Sequence, residues 1–261
     1  MTSRSFERLA RWAMPVGVFL LALLARLPAL GKFLTPDEGL WVDRSRNFLA
    51  GLLNSAYQCE ALIEHTGFKH AEGLACTLRT GHPGVTTMWT GSIGIVLRYL
   101  ADGAPGSLFD YTTSFPTNPI DARMIVPERL PSMLLISISV GLTAWLVGRL
   151  FRDRTVGLVA GLLLALDPFH VALSRVIHHD ALATTFMTLS LLMALMYWVR
   201  RASRGWLIAS GICGGLAFLS KSTSLFLNPF ILILAIWSLV DHHARGGRLS
   251  WRVFFVQSLF G

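Results

Sequence analysis

Apolar runs long enough to cross a bilayer recur along this chain, and clusters of arginine stand between them. A spanning helix needs about 20 mainly apolar residues. Stretches 13–30, 130–150, 181–199 and 223–240 meet that demand, and 156–172 and 206–220 are shorter candidates. With 53% hydrophobic and 15% charged residues, the 261-residue chain has a membrane composition. The reading is an all-α polytopic membrane protein with six to seven transmembrane helices. A seventh apolar run begins near Val253 and the chain stops inside it. The expected organisation is therefore a cytoplasmic N-terminus over 1–12 and one transmembrane domain over 13–261, truncated at its C-terminus.

The formal charge of +8 invites a nucleic-acid reading, but the basic residues form no single patch. They fall into Arg4/Arg8/Arg11, Arg149/Arg152/Arg154, Arg200/Arg201/Arg204 and Arg245/Arg248/Arg252, each beside an apolar run. Such clusters mark cytoplasmic ends of spans, and nucleic acid is not an expected partner. No small-residue cleavage site follows the first run, so it is expected to stay as an anchor. The segment Thr86–Leu100 decides the topology. If it crossed the membrane, the second and third clusters would face outward. If it lies on the surface, with Trp89, Ile93 and Leu97 on one face, all four clusters face the cytoplasm. The second solution makes 31–128 one long extracytoplasmic loop carrying surface-lying helices, the first of them at Gly39–Leu53. Trp12, Trp41, Trp198, Trp206, Trp237 and Trp251 fall near predicted span ends, as an aromatic belt would. Cys213 reads as a small core residue. Cys59 and Cys76 share the outer loop, either bridged or as two free thiols.

With that topology, polar residues from separate segments gather outside the cytoplasm. The first span delivers Asp37 and Glu38, and the loop delivers His82. The third turn delivers Arg175, His178, His179 and Asp180, and the fifth delivers Lys221 between Ser220 and Ser222. Carboxylates can take a proton or hold a metal, and cations can stabilise charge on a departing phosphate. A reaction on a lipid-linked phosphate needs both. His178 and His179, as helix neighbours, would point about 100° apart and could not share an ion with Asp180. The candidate metal set is therefore Glu38, His179 and Asp180, for a divalent ion. Arg26 reads as a snorkelling residue, and Pro229 as a kink in the sixth span.

Several short elements carry a resemblance. Thr35-Pro36-Asp37-Glu38 opens the outer loop, and Gly81-His82-Pro83 follows within it. Glu128-Arg129-Leu130-Pro131-Ser132 starts the second span. Asp167-Pro168 leads to Ser174-Arg175 and Asp180, and Gly215-Leu216-Ala217-Phe218-Leu219-Ser220-Lys221 closes the fifth span. In this order they resemble the GT-C glycosyltransferases, nearest the protein O-mannosyltransferase and aminoarabinose transferase group, over about residues 10–240. Gly84 stands where the mannosyltransferases have the second proline of a His-Pro-Pro element, and His82 where the aminoarabinose enzymes have lysine. The resemblance implies a membrane glycosyltransferase of hexosyl or pentosyl type. It would move a sugar from a polyprenyl-phosphate carrier to a hydroxyl on a lipid, glycan or protein, with inversion. It implies Asp37 as general base, with Glu38 and Asp180 in the catalytic set. The phosphate-binding candidates are His82, Arg129, Arg175 and Lys221, and Asp180 would orient Arg175, bind the acceptor or share a metal with Glu38. The expected location is a bacterial inner membrane, with the active face outside the cytoplasm. A lipid-sugar flippase or transporter and a non-catalytic scaffold are the alternatives. Convergence of Asp37, Asp180 and Lys221 around one outer cavity separates the enzyme from both.

Overall fold

A computed structural model describes residues 3–28, 30–60, 70–78, 80–115 and 125–244. Within these the chain is mostly helical. Helix α1 spans Ser3–Arg26 and α2 Glu38–Leu53. A short antiparallel hairpin follows, β1 (Gln58–Glu60) with β2 (His70–Glu72), and then a 3-10 turn over Gly73–Thr77. Helices α3 (Val85–Ala101) and α4 (Leu108–Ser114) complete the long loop. Six more helices follow: α5 Val126–Phe151, α6 Arg154–Leu166, α7 Pro168–Leu173, α8 His179–Trp198, α9 Gly205–Ser220 and α10 Leu227–Ala244.

Three helical stretches are long and apolar enough to cross a bilayer: Val126–Phe151, His179–Trp198 and Ser222–Asp241. Trp12–Arg26, Arg154–Leu166 and Gly205–Ser220 are shorter apolar helices. Each of the six runs read from the sequence thus falls on an apolar helix. The seventh, near Val253, lies outside the described residues.

The helices approach closely where residues are small. A side-chain carbon on Gly157 of α6 would stand 2.5 Å from the carbonyl oxygen of Ala144 in α5. Only hydrogen allows that separation, and small residues drive helix contact where lipid supplies no hydrophobic force. Between α8 and α9, Ser190 and Ser210 each donate a hydroxyl to the other's carbonyl at 2.8 Å.

Helix α3 is amphipathic in the sense expected. Trp89, Ile93 and Leu97 are exposed, whereas Thr86, Thr87, Met88, Thr90, Gly91, Ser92, Gly94 and Ile95 are buried. The buried face is held by polar contacts. Ser132 on α5 donates to Thr90 at 2.6 Å, and Ser92 donates to the Ser45 carbonyl at 2.9 Å. The loop is ordered by a Cys59–Cys76 disulfide, with Cα atoms 5.9 Å apart. The bridged alternative is the one realised. Cys213 is half-buried on α9.

Four expectations change. The run 156–172 does not form one helix. It breaks at Asp167, whose carboxylate accepts the His170 amide at 2.6 Å and caps α7, with Pro168 next in the chain. Pro229 lies not within an uninterrupted helix but where a 3-10 turn over Ser222–Phe226 gives way to α10. It sits in the first turn of α10, where its missing N–H costs nothing. Arg26 does not snorkel but is fully buried. Its guanidinium donates to Ser174 at 2.7 Å, Ala22 at 2.8 Å and Ala165 at 3.2 Å, and meets His170 Nδ1 at 2.8 Å. Trp41 belongs to no aromatic belt. It is buried in the interior of the outer loop.

Candidate active site

Glu38 and Arg129 fix the frame of the site. Both side chains are sealed from solvent. The guanidinium holds the carboxylate through Nε–Oε1 at 2.8 Å and Nη2–Oε2 at 2.6 Å. Arg129 gives two further donors to the carbonyls of Leu30 and Phe33. Glu38 spends its remaining capacity on the backbone amides of Thr35 and Ile177, each at 2.9 Å. A buried ion pair survives when its leftover hydrogen-bonding groups are satisfied, and here they are. The consequence is positional. One carboxylate ties the Thr35–Asp37 turn at the end of the first span to the Ile177–His178 step before α8.

That tie corrects two expectations. Glu38 faces no shared ion with Asp180, because Arg129 already occupies its oxygens. Arg129 is sealed from solvent and spends four of its five N–H donors within the protein, so it presents no open face to a phosphate.

Asp37 lies next to this pair but faces outward. It stands at the N-cap of α2 without a side-chain cap bond, and its side chain is 69% exposed. Its carboxylate is 3.7 Å from His178 Nε2. Across the His178 ring, Nδ1 is 3.5 Å from the Asp180 carboxylate. Asp180 in turn meets the Lys221 ammonium at 2.5 Å. Asp37, His178, Asp180 and Lys221 therefore form a continuous chain of contacts drawn from three separate turns. Asp180 pairs with Lys221, so it does not orient Arg175 as expected. Arg175 is left with Nε and Nη2 buried and bonded to no group among the described residues.

His82 is exposed and stacks on His179, with ring centres 5.0 Å apart and planes at 26°. His179 also packs against Trp41 at 4.7 Å. The loop carrying His82 is held by a residue that motif reasoning missed. Arg44 on α2 donates to the carbonyls of Thr77 (2.9 Å), His82 (3.1 Å) and Pro83 (2.7 Å) and to Thr80 Oγ1 at 3.1 Å, with its charge 4.7 Å over the Trp41 ring. Burial lowers the guanidinium to about 10, so it stays charged at neutral pH. Nothing in the sequence singled it out, since Lys32, Arg46 and Arg98 share the stretch 31–128 with it.

Gly84 has a physical reason for standing where a proline was expected. It takes φ +58°, and a side-chain carbon there would meet Trp41 at 2.1 Å. Its amide donates to the Ser220 carbonyl at 3.0 Å. Together with the Thr86–Ser220 hydroxyl pair at 2.7 Å, that bond ties the start of α3 to the end of α9 and brings His82 and Lys221 to one region.

His178, His179 and Asp180 bring one ligand atom each within 4.8 Å of the others. The helix-neighbour argument against this set fails because His178 is not helical. It is the N-cap, extended at φ −148° and ψ 148°. Part of the set is engaged within the protein: His178 Nδ1 accepts the Asp180 amide at 3.3 Å, and Lys221 sits on Asp180 Oδ1. Ligand atoms must present free lone pairs to a metal; His179, with both ring nitrogens buried and not hydrogen-bonded among the described residues, offers them, whereas the Asp180 oxygen on Lys221 does not.

Helices long and apolar enough to cross a bilayer thus accompany a series of carboxylate, imidazole, carboxylate and ammonium groups in contact, the makings of a membrane protein with a polar site. The family model for dolichyl-phosphate-mannose-protein mannosyltransferases matches residues 98–260, more than half of the chain. The chain belongs to this family, a GT-C glycosyltransferase family, as the motif order implied. No curated protein and no solved structure matches. The matched segment holds Arg129, Arg175, His178, His179, Asp180 and Lys221, whereas Asp37, Glu38 and His82 precede it.

Proposed function

We propose that this chain transfers a sugar from a polyprenyl-phosphate carrier to a hydroxyl acceptor, at the face of a bacterial inner membrane that lies outside the cytoplasm. The observation that carries the proposal is the series of contacts from Asp37 through His178 and Asp180 to Lys221, with Nε and Nη2 of Arg175, three residues before His178, bonded to no group among the described residues. Six spans, with α2, α3 and α4 outside, put all these groups in one compartment.

Asp37 takes the proton from the acceptor hydroxyl. The freed oxygen attacks the anomeric carbon, the glycosidic bond to the phosphate breaks, and the configuration inverts. The polyprenyl phosphate leaves with one more negative charge. A cation placed there is worth more in the transition state than in the ground state. Arg175 supplies it, since a guanidinium with two unspent buried donors is matched to a phosphate. Lys221 holds Asp180 against the same region, and His82 is a third cation when protonated. The acceptor is a hydroxyl on a lipid, glycan or protein, and the transferred unit is a hexosyl or pentosyl group.

The test is transfer from purified polyprenyl-phosphate sugars to a panel of hydroxyl acceptors by the full chain in lipid. Asp37→Asn should fold and insert normally, since the side chain is exposed and makes no cap bond. Loss of a general base costs about 10²–10⁴ in rate. An Asp37→Asn protein with undiminished transfer refutes the assignment.

A further inference from the structure

We infer that His178 is a positioning residue for the Asp37 carboxylate: its ring, locked in one tautomer by the cap of α8, aims an N–H at the base. The inference rests on the glycosyltransferase reading above and adds a residue to it.

Asp37 needs a positioning partner. Its side chain is largely exposed and makes no bond to the helix it precedes. Among the described residues, its ion-pairing partner within 4 Å is His178. A base that must meet a hydroxyl at one oxygen gains from having the other held, because misplacement by about 1 Å can cost on the order of 10²-fold in rate.

His178 is built to hold it. The residue is the N-cap of α8, extended rather than helical, and Nδ1 accepts the amide of Asp180 at 3.3 Å. An accepting nitrogen carries no hydrogen, and a neutral imidazole has a single N–H. The hydrogen is therefore on Nε2, the atom that faces the Asp37 oxygen at 3.7 Å. The ring cannot swing freely. It packs against His179 at 4.3 Å and presents an edge to Trp41 at 6.2 Å and 78°. The remaining gap to Asp37 closes by rotation of the exposed carboxylate. Contacts of this kind are commonly long before substrate arrives and tighten on binding. The Glu38 bonds to Thr35 and Ile177 set the spacing of the two backbones that carry this pair.

The design makes the capping role and the aiming role separable. Asparagine is among the best N-cap residues, so His178→Asn keeps α8 capped but is too short to reach Asp37. Glutamine places an N–H near the position of Nε2. Three proteins are compared in lipid with purified donor and acceptor: wild type, His178→Asn and His178→Gln. For His178→Asn, kcat should fall by about 10- to 100-fold, with the donor KM within about 2-fold of wild type and an unchanged unfolding midpoint. His178→Gln should recover most of the loss. If His178→Asn does not fold, His178→Ser repeats the test, as a second capping residue without the reach. Wild-type kcat in the short capping variant overturns the inference. So does a glutamine variant no better than asparagine or serine. Asp37→Asn is measured alongside. If it is inactive while His178→Asn matches wild type, only this inference falls. If it is fully active, the base assignment and this inference fall together.

Discussion

Two carboxylates stand side by side at positions 37 and 38 and do unlike things. Asp37 is exposed and near an imidazole. Glu38 is sealed beneath Arg129 and bonded to two backbone amides. The difference follows from the start of α2, where consecutive residues leave the backbone in directions about 100° apart. Replacing Arg129 by Gln would strand a buried carboxylate. The expected cost is about 3–5 kcal/mol, read as a large drop in the unfolding midpoint in detergent. Gly84 is decided just as locally. Proline there would need φ near −65° against the observed +58°, would lose the amide bond to Ser220, and would collide with Trp41. Gly84→Pro should therefore fail to accumulate as folded protein, whereas His82→Ala, at an exposed position, should accumulate normally. Expression with size-exclusion analysis distinguishes the two.

At the scale of elements, the short helix α7 is more than a connector. It brings His170 and Ser174 to Arg26, so a buried cation on the first helix fastens the turn that leads into α8. Burial, and then the charge of Arg26, lower the His170 pKa below its usual value. The unfolded chain therefore takes up this proton first. The contribution is full above about pH 6.5, the ordinary histidine value, and is lost as pH falls through it towards the folded pKa. Between about pH 7.5 and 5.5 the wild-type unfolding midpoint should fall more steeply than that of His170→Asn, which accepts from Arg26 without titrating. Equal slopes would show that the latch does not titrate. Much of this layer was legible from the chain. Helix α3 followed from apolar residues four apart, and α2 was expected one residue from its true start. The break before α7 was not foreseen, because a run with enough hydropathy masks the capping signal of Asp167-Pro168.

For the whole molecule, the topology makes the most exposed claim. If α3 lies on the surface, cysteines placed at Asn54 and Ala172, both exposed, should react with an impermeant maleimide in intact cells. Cysteines at Arg152 and Arg204 should react only after permeabilisation. Opposite labelling of Asn54 and Ala172 would separate Asp37 from Asp180 and leave no common reaction chamber.

The sequence by itself determined the class of fold and the neighbourhood of the chemistry. Apolar runs must leave water, and the order of short motifs gave the family. It named Asp37, Asp180, Arg175 and Lys221 without fixing which would pair. Tertiary structure decided that Asp180 takes Lys221 and leaves Nε and Nη2 of Arg175 unbonded among the described residues, that Glu38 and Arg129 satisfy one another, that Arg44 holds the loop, and that His178 lies beside Asp37. The physical reason is range. Hydropathy and charge act along the chain and can be read from it, whereas a hydrogen bond is settled over about 3 Å, between groups that only the packed helices bring together.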